Sequence, residues 1–300
     1  MAYGYNPKRV KNLFDPLRHG SGQAAPEPFT LSRSKLENFL RCPRCFYLDR
    51  RLGVDKPPTP PFTLNSAVDL LLKKEFDRHR ARGRAHPLMK HYKIEAVPFK
   101  HEAMDRWREV DFGRGGIHYL HPETNFDVYG AVDDIWQNKA GELIVVDYKA
   151  TSKDEEVNLD AEWQRSYKNQ LEIYQWLFRQ NNFPVSPTGY FVYVNGRRDK
   201  ESFDGKLEFT VKVIPYEGDD SWVSGKLLAA KNCLMSDTAP APAGDCEYCQ
   251  YRAAAGEALS SGSKSGGTLF WPRKIASYHG VDKSLSTLAQ TWFFLANRLS

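Results

Sequence analysis

The sequence predicts an α/β domain in which helices flank a mixed central β-sheet. Between residues 30 and 255, segments with helical spacing alternate with short apolar runs, in the order helix, strands, helix, strands, helix. The runs are rich in Val, Ile, Tyr and Phe, which is typical of strands. With 300 residues, 41% of them hydrophobic, the chain is long enough to bury one sizeable core.

The N-terminal part of the chain predicts an arm followed by a helix. Residues 1–28 are polar and basic and contain proline, so we expect a flexible basic arm there. In the segment LSRSKLENFL the apolar residues recur at helical spacing, and either Ser32 or Ser34 would cap the first turn. This helix opens a domain that we expect to span residues 29–256.

A longer helix with a basic end is predicted in LNSAVDLLLKKEFDRHRARG. Its apolar stripe comprises Val68, Leu71, Leu72 and Phe76. Positive charge continues past the end of this helix, and the basic run consists of Arg78, Arg80, Arg82, Arg84, Lys90 and Lys93. The run suits sequence-tolerant contacts with DNA phosphates, weakened by salt, although such runs are also common on faces that simply contact solvent.

Strands and two more helices are predicted in the rest of the domain. The strand segments are FDVYGAVDDIWQ and ELIVVDYK, which flank the turn NKAG, then TGYFVYVNG and KLEFTVKVIPY. The helices are AEWQRSYKNQLEIYQWLFRQN and DSWVSGKLLAAKNCLM. Together they supply the sheet and its covering layers.

The C-terminal part predicts a Gly/Ser linker at residues 257–267 and an extension at residues 268–300. The extension contains an amphipathic helix whose apolar face consists of Leu285, Leu288, Trp292, Leu295 and Leu299. This helix would dock on its own domain, bind a protein partner or form an added tail.

Composition favours a cytoplasmic protein with a polyanionic partner. The net charge is +5 and the pI is about 8.8, which is mildly basic. No apolar stretch approaches the ~18 residues of a membrane helix, and the N-terminus lacks the apolar centre of a secretion signal. Four of the five cysteines form two CxxC pairs, which suits a reducing compartment better than a disulfide framework.

Two aspartates are expected to face each other across a hairpin. A three-residue loop at residues 139–141, with its glycine in the left-handed conformation, would pair Asn138 with Glu142. The same register then places Asp133 opposite Asp147. Like charges at this spacing destabilise a sheet, and a Mg²⁺ or Mn²⁺ ion between them would offset the repulsion.

A lysine completes this predicted site. Lys149 lies two residues beyond Asp147 and therefore on the same face of the strand. The metal would lower the pKa of a bound water, while the lysine orients the nucleophile or stabilises the pentavalent phosphate. The alternative is a solvent-facing ion pair between the two residues. Because Leu143 and Val145 share their face, the run is too apolar for an exposed strand.

These residues resemble the motifs of the PD-(D/E)XK nuclease superfamily, most closely its RecB-like branch, which includes CRISPR-associated exonucleases. GAVDDI looks like the G-x-x-D metal motif with Asp133 as ligand, and VVDYK looks like the D-x-K motif with Asp147 as ligand and Lys149 as the catalytic lysine. The resemblance extends from about Leu31 to Arg252 and implies a restriction-endonuclease-like core.

A helix motif and one departure accompany the resemblance. QLEIY looks like the branch's Q-x-x-x-Y motif, in which Gln170 and Tyr174 share a helix face and would contact DNA backbone or the lysine. A core tyrosine beside a surface glutamine is the alternative. Where the branch usually has a histidine, this chain has Asp69, which would either ligate the metal or pair with Lys73 one turn later.

The two CxxC pairs predict a second metal site. Cys42, Cys45, Cys246 and Cys249 suit four-thiolate binding of Zn²⁺ or an iron-sulfur cluster, and four unligated core cysteines are the alternative. Many RecB-like nucleases hold a [4Fe-4S] cluster with one such cysteine near the N-terminus and three near the C-terminus. Here the third C-terminal cysteine is absent, and the resemblance implies Cys45 as the fourth ligand. We expect the remaining Cys233 to be a buried free thiol.

The sequence therefore predicts a Mg²⁺- or Mn²⁺-dependent deoxyribonuclease. Its expected work is DNA end processing in repair or defence, on single-stranded DNA or DNA ends through backbone contacts. The rival hypothesis is a catalytically inactive DNA-binding or assembly module that keeps the fold. A phosphoester outside nucleic acids is a third candidate substrate.

Overall fold

The computed structural model describes residues 11–20, 26–59, 62–110 and 115–262. Within these ranges the strands are β1 (Phe29–Ser32), β2 (Ala96–Pro98), β3 (Ile117–His121), β4 (Phe126–Gly130), β5 (Asp134–Asn138), β6 (Leu143–Thr151), β7 (Thr188–Gly196) and β8 (Phe209–Glu217). A five-stranded sheet has the order β2-β5-β6-β7-β8, and a three-stranded sheet has the order β1-β4-β3. In the larger sheet β6 and β7 are parallel and the other pairs are antiparallel, which confirms the predicted mixed sheet.

Helices cover both faces of the larger sheet. They are α1 (Pro16–His19), α2 (Arg33–Arg41), α3 (Pro43–Arg50), α4 (Thr63–Ala81), α5 (Pro87–His91), α6 (Met104–Arg108), α7 (Arg165–Gln180), α8 (Val223–Met235) and α9 (Glu247–Gly262). A short 3₁₀ helix (Glu162–Gln164) precedes α7. Of the two serines predicted to cap α2, Ser32 does so, because its hydroxyl accepts the Lys35 N–H at 3.3 Å.

The hairpin between β5 and β6 has the predicted turn and register. The Asn138 N–H donates to the Glu142 carbonyl at 3.1 Å, and Gly141 has φ +85°. Asp134 pairs with Val146, and the pairs from there to Gln137 and Leu143 keep the same register. The glycine supplies a conformation that residues with a side chain rarely adopt, which is why the turn closes with three residues.

The segment FDVYGAVDDIWQ is not one strand, as predicted, but two strands in different sheets. β4 belongs to the three-stranded sheet and β5 to the five-stranded sheet. The chain leaves β4 at Gly130, where a Cβ atom would lie 2.5 Å from a ring carbon of Tyr174 and 3.3 Å from the Cβ of Arg33. Only glycine permits this close approach to α7 and α2. Asp133 consequently lies in the link between the two sheets.

β6 is a central strand that is buried on both faces. Leu143 and Val145 pack in a core formed with α2 and α7, whereas Ile144 and Val146 pack in a second core formed with α4 and α5. Burial of each of these side chains contributes roughly 1.5–3 kcal/mol. The prediction that this strand is not solvent-facing is confirmed. Its burial on both faces fixes the backbone that carries Asp147 and Lys149.

Three details of the predicted organisation differ from the structure. Leu71, assigned to the apolar stripe of α4, is 64% exposed. Phe14 lies within the predicted arm, yet it is 1% exposed and packs in the first core because its ring contacts Phe29. α9 continues to Gly262, into the predicted linker, since its Ala and Glu residues favour a helix.

The chain divides into two units, Met1–Arg252 and Ala253–Ser300. All strands given above belong to the first unit. The described part of the second unit is the last part of α9. The predicted extension at residues 268–300, with its amphipathic helix, lies outside the described residues. Among the helices of the described ranges, none is long and apolar enough to span a membrane.

Candidate active site and cysteine cluster

The two predicted metal-binding aspartates lie at the same end of the central sheet. Asp147, in the middle of β6, is fully buried. Asp133 precedes β5, and its Oδ2 atom accepts the backbone N–H of Tyr148 at 2.8 Å. The pairing of β5 with β6 ends at Asp134 and Val146, and Asp133 and Asp147 are the next residues beyond that pair. The hydrogen bond to Tyr148 holds Asp133 beside β6.

Gln170 joins the buried aspartate to the predicted catalytic lysine. Its Nε2 donates to Asp147 Oδ1 at 2.7 Å, and its Oε1 accepts from Lys149 Nζ at 3.4 Å. The Lys149 ammonium also forms an ion pair with Asp147 Oδ2 and lies 4.5 Å from the centre of the Tyr167 ring. Strand alternation and α7 therefore hold acid, amide and ammonium in one chain of contacts.

Tyr174 lies behind this chain of contacts. It is 3% exposed, and its hydroxyl is 3.5 Å from Gln170 Nε2. Its side chain is thus part of the core and also contacts the glutamine of the motif. Arg33, which the sequence reasoning missed, acts electrostatically on Tyr174 and Asp147: burial raises the pKa of both groups, and the Arg33 charge lowers it. Within the described ranges, no carboxylate forms an ion pair with Arg33.

The electrostatics of Asp147 fit a bound cation. Burial raises its pKa to about 7, the Lys149 ammonium lowers the pKa, and the Asp133 carboxylate raises it. Asp147 Oδ2 is fully buried and receives no hydrogen bond of good geometry, although the ammonium is near. Burial lowers the pKa of Lys149, but both aspartates raise it by more, so this group stays charged. Carboxylate oxygens such as those of Asp147 and Asp133 are suited to a hard divalent ion.

Asp69 is paired with a lysine in this structure. Lys73 Nζ lies 2.8 Å from Asp69 Oδ2, which is the i,i+4 contact considered above, and 3.7 Å from Asp133 Oδ1. Burial raises the pKa of Asp69, the Lys73 hydrogen bond lowers it, and the charge of Asp133 raises it further. Among the described residues, the ligand atoms of Asp69, Asp133 and Asp147 are not grouped as closely as the sulfur atoms of the four cysteines described below.

A cleft of about 570 Å³ opens over these groups. Its lining consists of Phe62, Asn65, Ser66, Val68, Asp69, Leu72, Asp133, Tyr148, Lys149, Ala150, Tyr167 and Gln170. Asp147 and Tyr174 are not in this lining. The cleft therefore exposes one acid of the pair, the lysine and the glutamine.

Asp134 anchors the neighbourhood of the site through a network that the sequence did not reveal. It is fully buried, accepts from Tyr148 Oη at 2.8 Å and Arg108 Nη2 at 2.7 Å, and also pairs with Arg80. Arg80 was predicted to contact DNA phosphates, and this prediction is wrong because Arg80 is 7% exposed and neutralised by Asp134 and Asp77. The other residues of the basic run, Arg78, Arg82, Arg84, Lys90 and Lys93, are exposed.

The four cysteines predicted to share a metal come together. Cys45 Sγ lies 3.6 Å from Cys246 Sγ and 3.7 Å from Cys249 Sγ, and Cys42 Sγ lies 3.8 Å from Cys249 Sγ. All four sulfur atoms lie within 4.8 Å of one another, which is a donor set suited to Zn²⁺ or an iron-sulfur cluster. The start of α3 is thereby brought to the start of α9.

Four of the five thiols have shifted pKa values, and burial raises the pKa of Cys45 and Cys249. Burial raises the pKa of Cys42, but hydrogen bonds from the backbone of Ala243 and Cys45 lower it to about 7. This favours the thiolate that a metal requires. Cys233 is outside the group and is a free thiol, as predicted, but it is only half-buried. Burial raises its pKa to about 11.

A family model and a solved structure are similar to this chain. A family model described as the PD-(D/E)XK nuclease superfamily matches residues 30–254. A solved structure described as "Crystal structure of SSO0001" is similar, with 20% identity and a TM-score of 0.37, over 76% of this chain and 86% of that chain. No curated protein matches the sequence significantly.

Proposed function

Because the chain belongs to the PD-(D/E)XK nuclease superfamily, we propose that it is a Mg²⁺- or Mn²⁺-dependent deoxyribonuclease that hydrolyses phosphodiester bonds. The observation that carries this proposal is the chain of contacts from Asp147 through Gln170 to Lys149 beside Asp133. Two carboxylates, an ammonium and an open cleft are what metal-assisted phosphodiester hydrolysis requires.

Asp133 and Asp147 are the proposed metal ligands. The buried carboxylate of Asp147, which pairs with the Lys149 ammonium, and the cleft-facing carboxylate of Asp133 offer the hard oxygen atoms that Mg²⁺ and Mn²⁺ prefer. A divalent ion held there supplies Lewis-acid stabilisation of the phosphate and lowers the pKa of a nearby water. Asp69 becomes a third ligand only if it separates from Lys73.

The side chains around the acids have proposed roles in the reaction. Lys149 stays protonated and lines the cleft, so its ammonium can orient the attacking water or stabilise charge on the phosphate. Gln170 fixes the lysine and Asp147 relative to each other. Tyr174 acts as a positioning residue through Gln170. Arg33 adds positive charge near Asp147.

DNA is the proposed substrate, held through its backbone. The exposed members of the basic run, given above, would make phosphate contacts that carry no sequence information. We propose that the protein acts on single-stranded DNA or DNA ends, in end processing, repair or defence. The cysteine group would hold a [4Fe-4S] cluster or Zn²⁺ that ties the start of α3 to the start of α9. Metal analysis and the visible absorbance of anaerobically purified protein distinguish the two.

The test is cleavage of linear single-stranded and double-stranded DNA with Mn²⁺, compared with EDTA and with Lys149→Ala. We expect cutting by the wild type with Mn²⁺ and loss of cutting in both controls. Cutting that survives Lys149→Ala would contradict the mechanism. One observation favours an inactive DNA-binding or assembly module, since Asp69 stands where a histidine is usual and pairs with Lys73. Salt-sensitive DNA binding by a wild type that does not cut would support that second function.

A further inference from the structure

A second lysine, Lys73, contacts two carboxylates of the proposed metal site. It lies on α4 one turn after Asp69, and its ammonium is 2.8 Å from Asp69 Oδ2. The same ammonium is 3.7 Å from Asp133 Oδ1. Its side chain is only 19% exposed. One cation therefore bridges α4 and the link that carries Asp133.

The charges at the site leave each carboxylate with a cationic neighbour. Lys149 pairs with Asp147, while Lys73 faces both Asp69 and Asp133. A divalent ion bound to Asp133 would meet the charge of Lys73 only a few ångströms away. In a half-buried site the repulsion between cations at this range is only weakly screened. The lysine and the divalent ion cannot both use the same carboxylate oxygens.

We propose that Lys73 competes with the divalent ion for Asp69 and Asp133 and thereby sets the metal affinity of the site. This inference rests on the metal site of the proposed function. When metal binds, the ammonium leaves the two carboxylates, and Asp69 is freed to act as a ligand. No proton has to move in this exchange, because one cation replaces another.

The same exchange explains how the carboxylates are accommodated in metal-free protein. Asp69 and Asp133 repel each other, and Lys73 offsets that repulsion. Removal of the lysine charge should therefore lower the thermal stability of the metal-free protein. Addition of Mn²⁺ should restore this stability, so the rise in Tm with Mn²⁺ should be larger for a Lys73 variant than for the wild type.

The direct test is titration of metal-free, full-length protein with Mn²⁺, followed by electron paramagnetic resonance. Lys73→Met keeps the aliphatic chain but removes the charge, and we expect its Kd for Mn²⁺ to be roughly 10-fold lower or more, the scale on which groups beside metal ligands act. Lys74→Met is the matched control, since Lys74 is exposed and has no ion pair in the described chain. Its Kd should stay within about twofold of the wild-type value.

Further variants keep the test decisive. Asp147→Asn should abolish the measured Mn²⁺ binding, which ties the signal to this site. Lys73→Arg keeps the charge and should bind Mn²⁺ no more tightly than the wild type. Lys73→Gln replaces the methionine variant if that variant does not fold.

The outcomes separate this inference from the proposed function. If wild type and Lys73→Met have equal Kd values for Mn²⁺, and Asp147→Asn does not bind Mn²⁺, the role of Lys73 is overturned and the proposed metal site stands. Binding by Lys73→Met alone would support the competition strongly. If neither protein binds Mn²⁺, the proposed metal site fails, and the inference fails with it. Weakened DNA binding with unchanged Mn²⁺ affinity would make Lys73 a phosphate ligand instead.

Discussion

The carboxylate cleft and the cysteine cluster both consist of side chains that commonly bind metals, but they differ in what neutralises their negative charge. In the cleft, Lys73 and Lys149 pair with the acids, so the protein supplies its own counter-charges. In the cluster, the sulfur atoms contact one another at 3.6–3.8 Å. We therefore expect the cleft to keep its geometry without metal, and the cluster to need a metal if its four sulfur atoms are thiolates. On the proposed function, a metal in the cleft would serve chemistry, and a metal in the cluster would serve the fold.

The largest expected effect comes from loss of the cluster. Cys45→Ser combined with Cys249→Ser should lower the free energy of unfolding by several kcal/mol, because a structural metal site contributes on the order of 10 kcal/mol. Urea unfolding followed by circular dichroism measures the change. The control is Cys233→Ala, outside the cluster, which should cost about 1 kcal/mol. Equal costs for the two proteins would remove the difference between the two regions.

Removal of a metal from the cleft should abolish activity without unfolding the protein. A short treatment with EDTA should abolish DNA cleavage while the circular dichroism spectrum and the metal content of the cluster stay unchanged. Addition of Mn²⁺ should then restore cleavage, since Lys73 and Lys149 have kept the acids in place. Unfolding under the same mild treatment would show that both regions depend on metal for their structure.

Lys149→Ala should lower kcat by about 10²–10³-fold, the range seen when one group that stabilises a transition state is removed. The secondary structure should remain, because Asp147, whose pKa burial already raises to about 7, can take up a proton. Steady-state cleavage with Mn²⁺ gives kcat, and circular dichroism reports the fold. Lys153→Ala, a lysine later in the same segment, is a charge-matched control and should cleave normally.

Gln170→Ala should have a smaller effect, about 10–100-fold in kcat, since it removes the bond that orients Asp147 rather than a reacting group. The Kd for Mn²⁺ should rise together with the fall in kcat. If kcat changes while Mn²⁺ binding does not, Gln170 contacts DNA instead of supporting the acid.

The smallest expected effect is that of Tyr174→Phe, which removes the hydroxyl 3.5 Å from Gln170 but keeps the buried ring. We expect kcat within about threefold of wild type, because a hydrogen bond this long contributes little. Cleavage rates for this variant and for Gln170→Ala, measured side by side, rank the two motif residues. A larger loss for the tyrosine variant would place its hydroxyl in contact with substrate.

The hairpin could be predicted from sequence because its geometry is local. The turn after Asn138 fixes the register, and the register fixes which residues share a face. The cysteine group could also be predicted, although its two CxxC pairs are more than 200 positions apart. The repeated CxxC spacing is itself a signal for metal binding. In both cases a short pattern carries the information.

Features that depend on tertiary packing could not be predicted. Arg80 lies in a basic run, and the neighbouring sequence does not reveal that it forms a buried ion pair with Asp134. The break between β4 and β5 depends on the closeness of α7 to Gly130, which periodicity does not encode. The placement of Lys73 against Asp133 likewise results from the packing of α4 beside the sheet.

The narrow passage at Gly130 makes two positions of the chain interdependent in evolution. A methyl group there would meet the Tyr174 ring at 2.5 Å, so a sequence with alanine at 130 needs a smaller side chain at 174. We expect relatives without this tyrosine to tolerate a larger residue than glycine here, and relatives with the tyrosine to keep the glycine. Exchange at the two sites should therefore be concerted, and Gly130→Ala should be rescued by Tyr174→Leu.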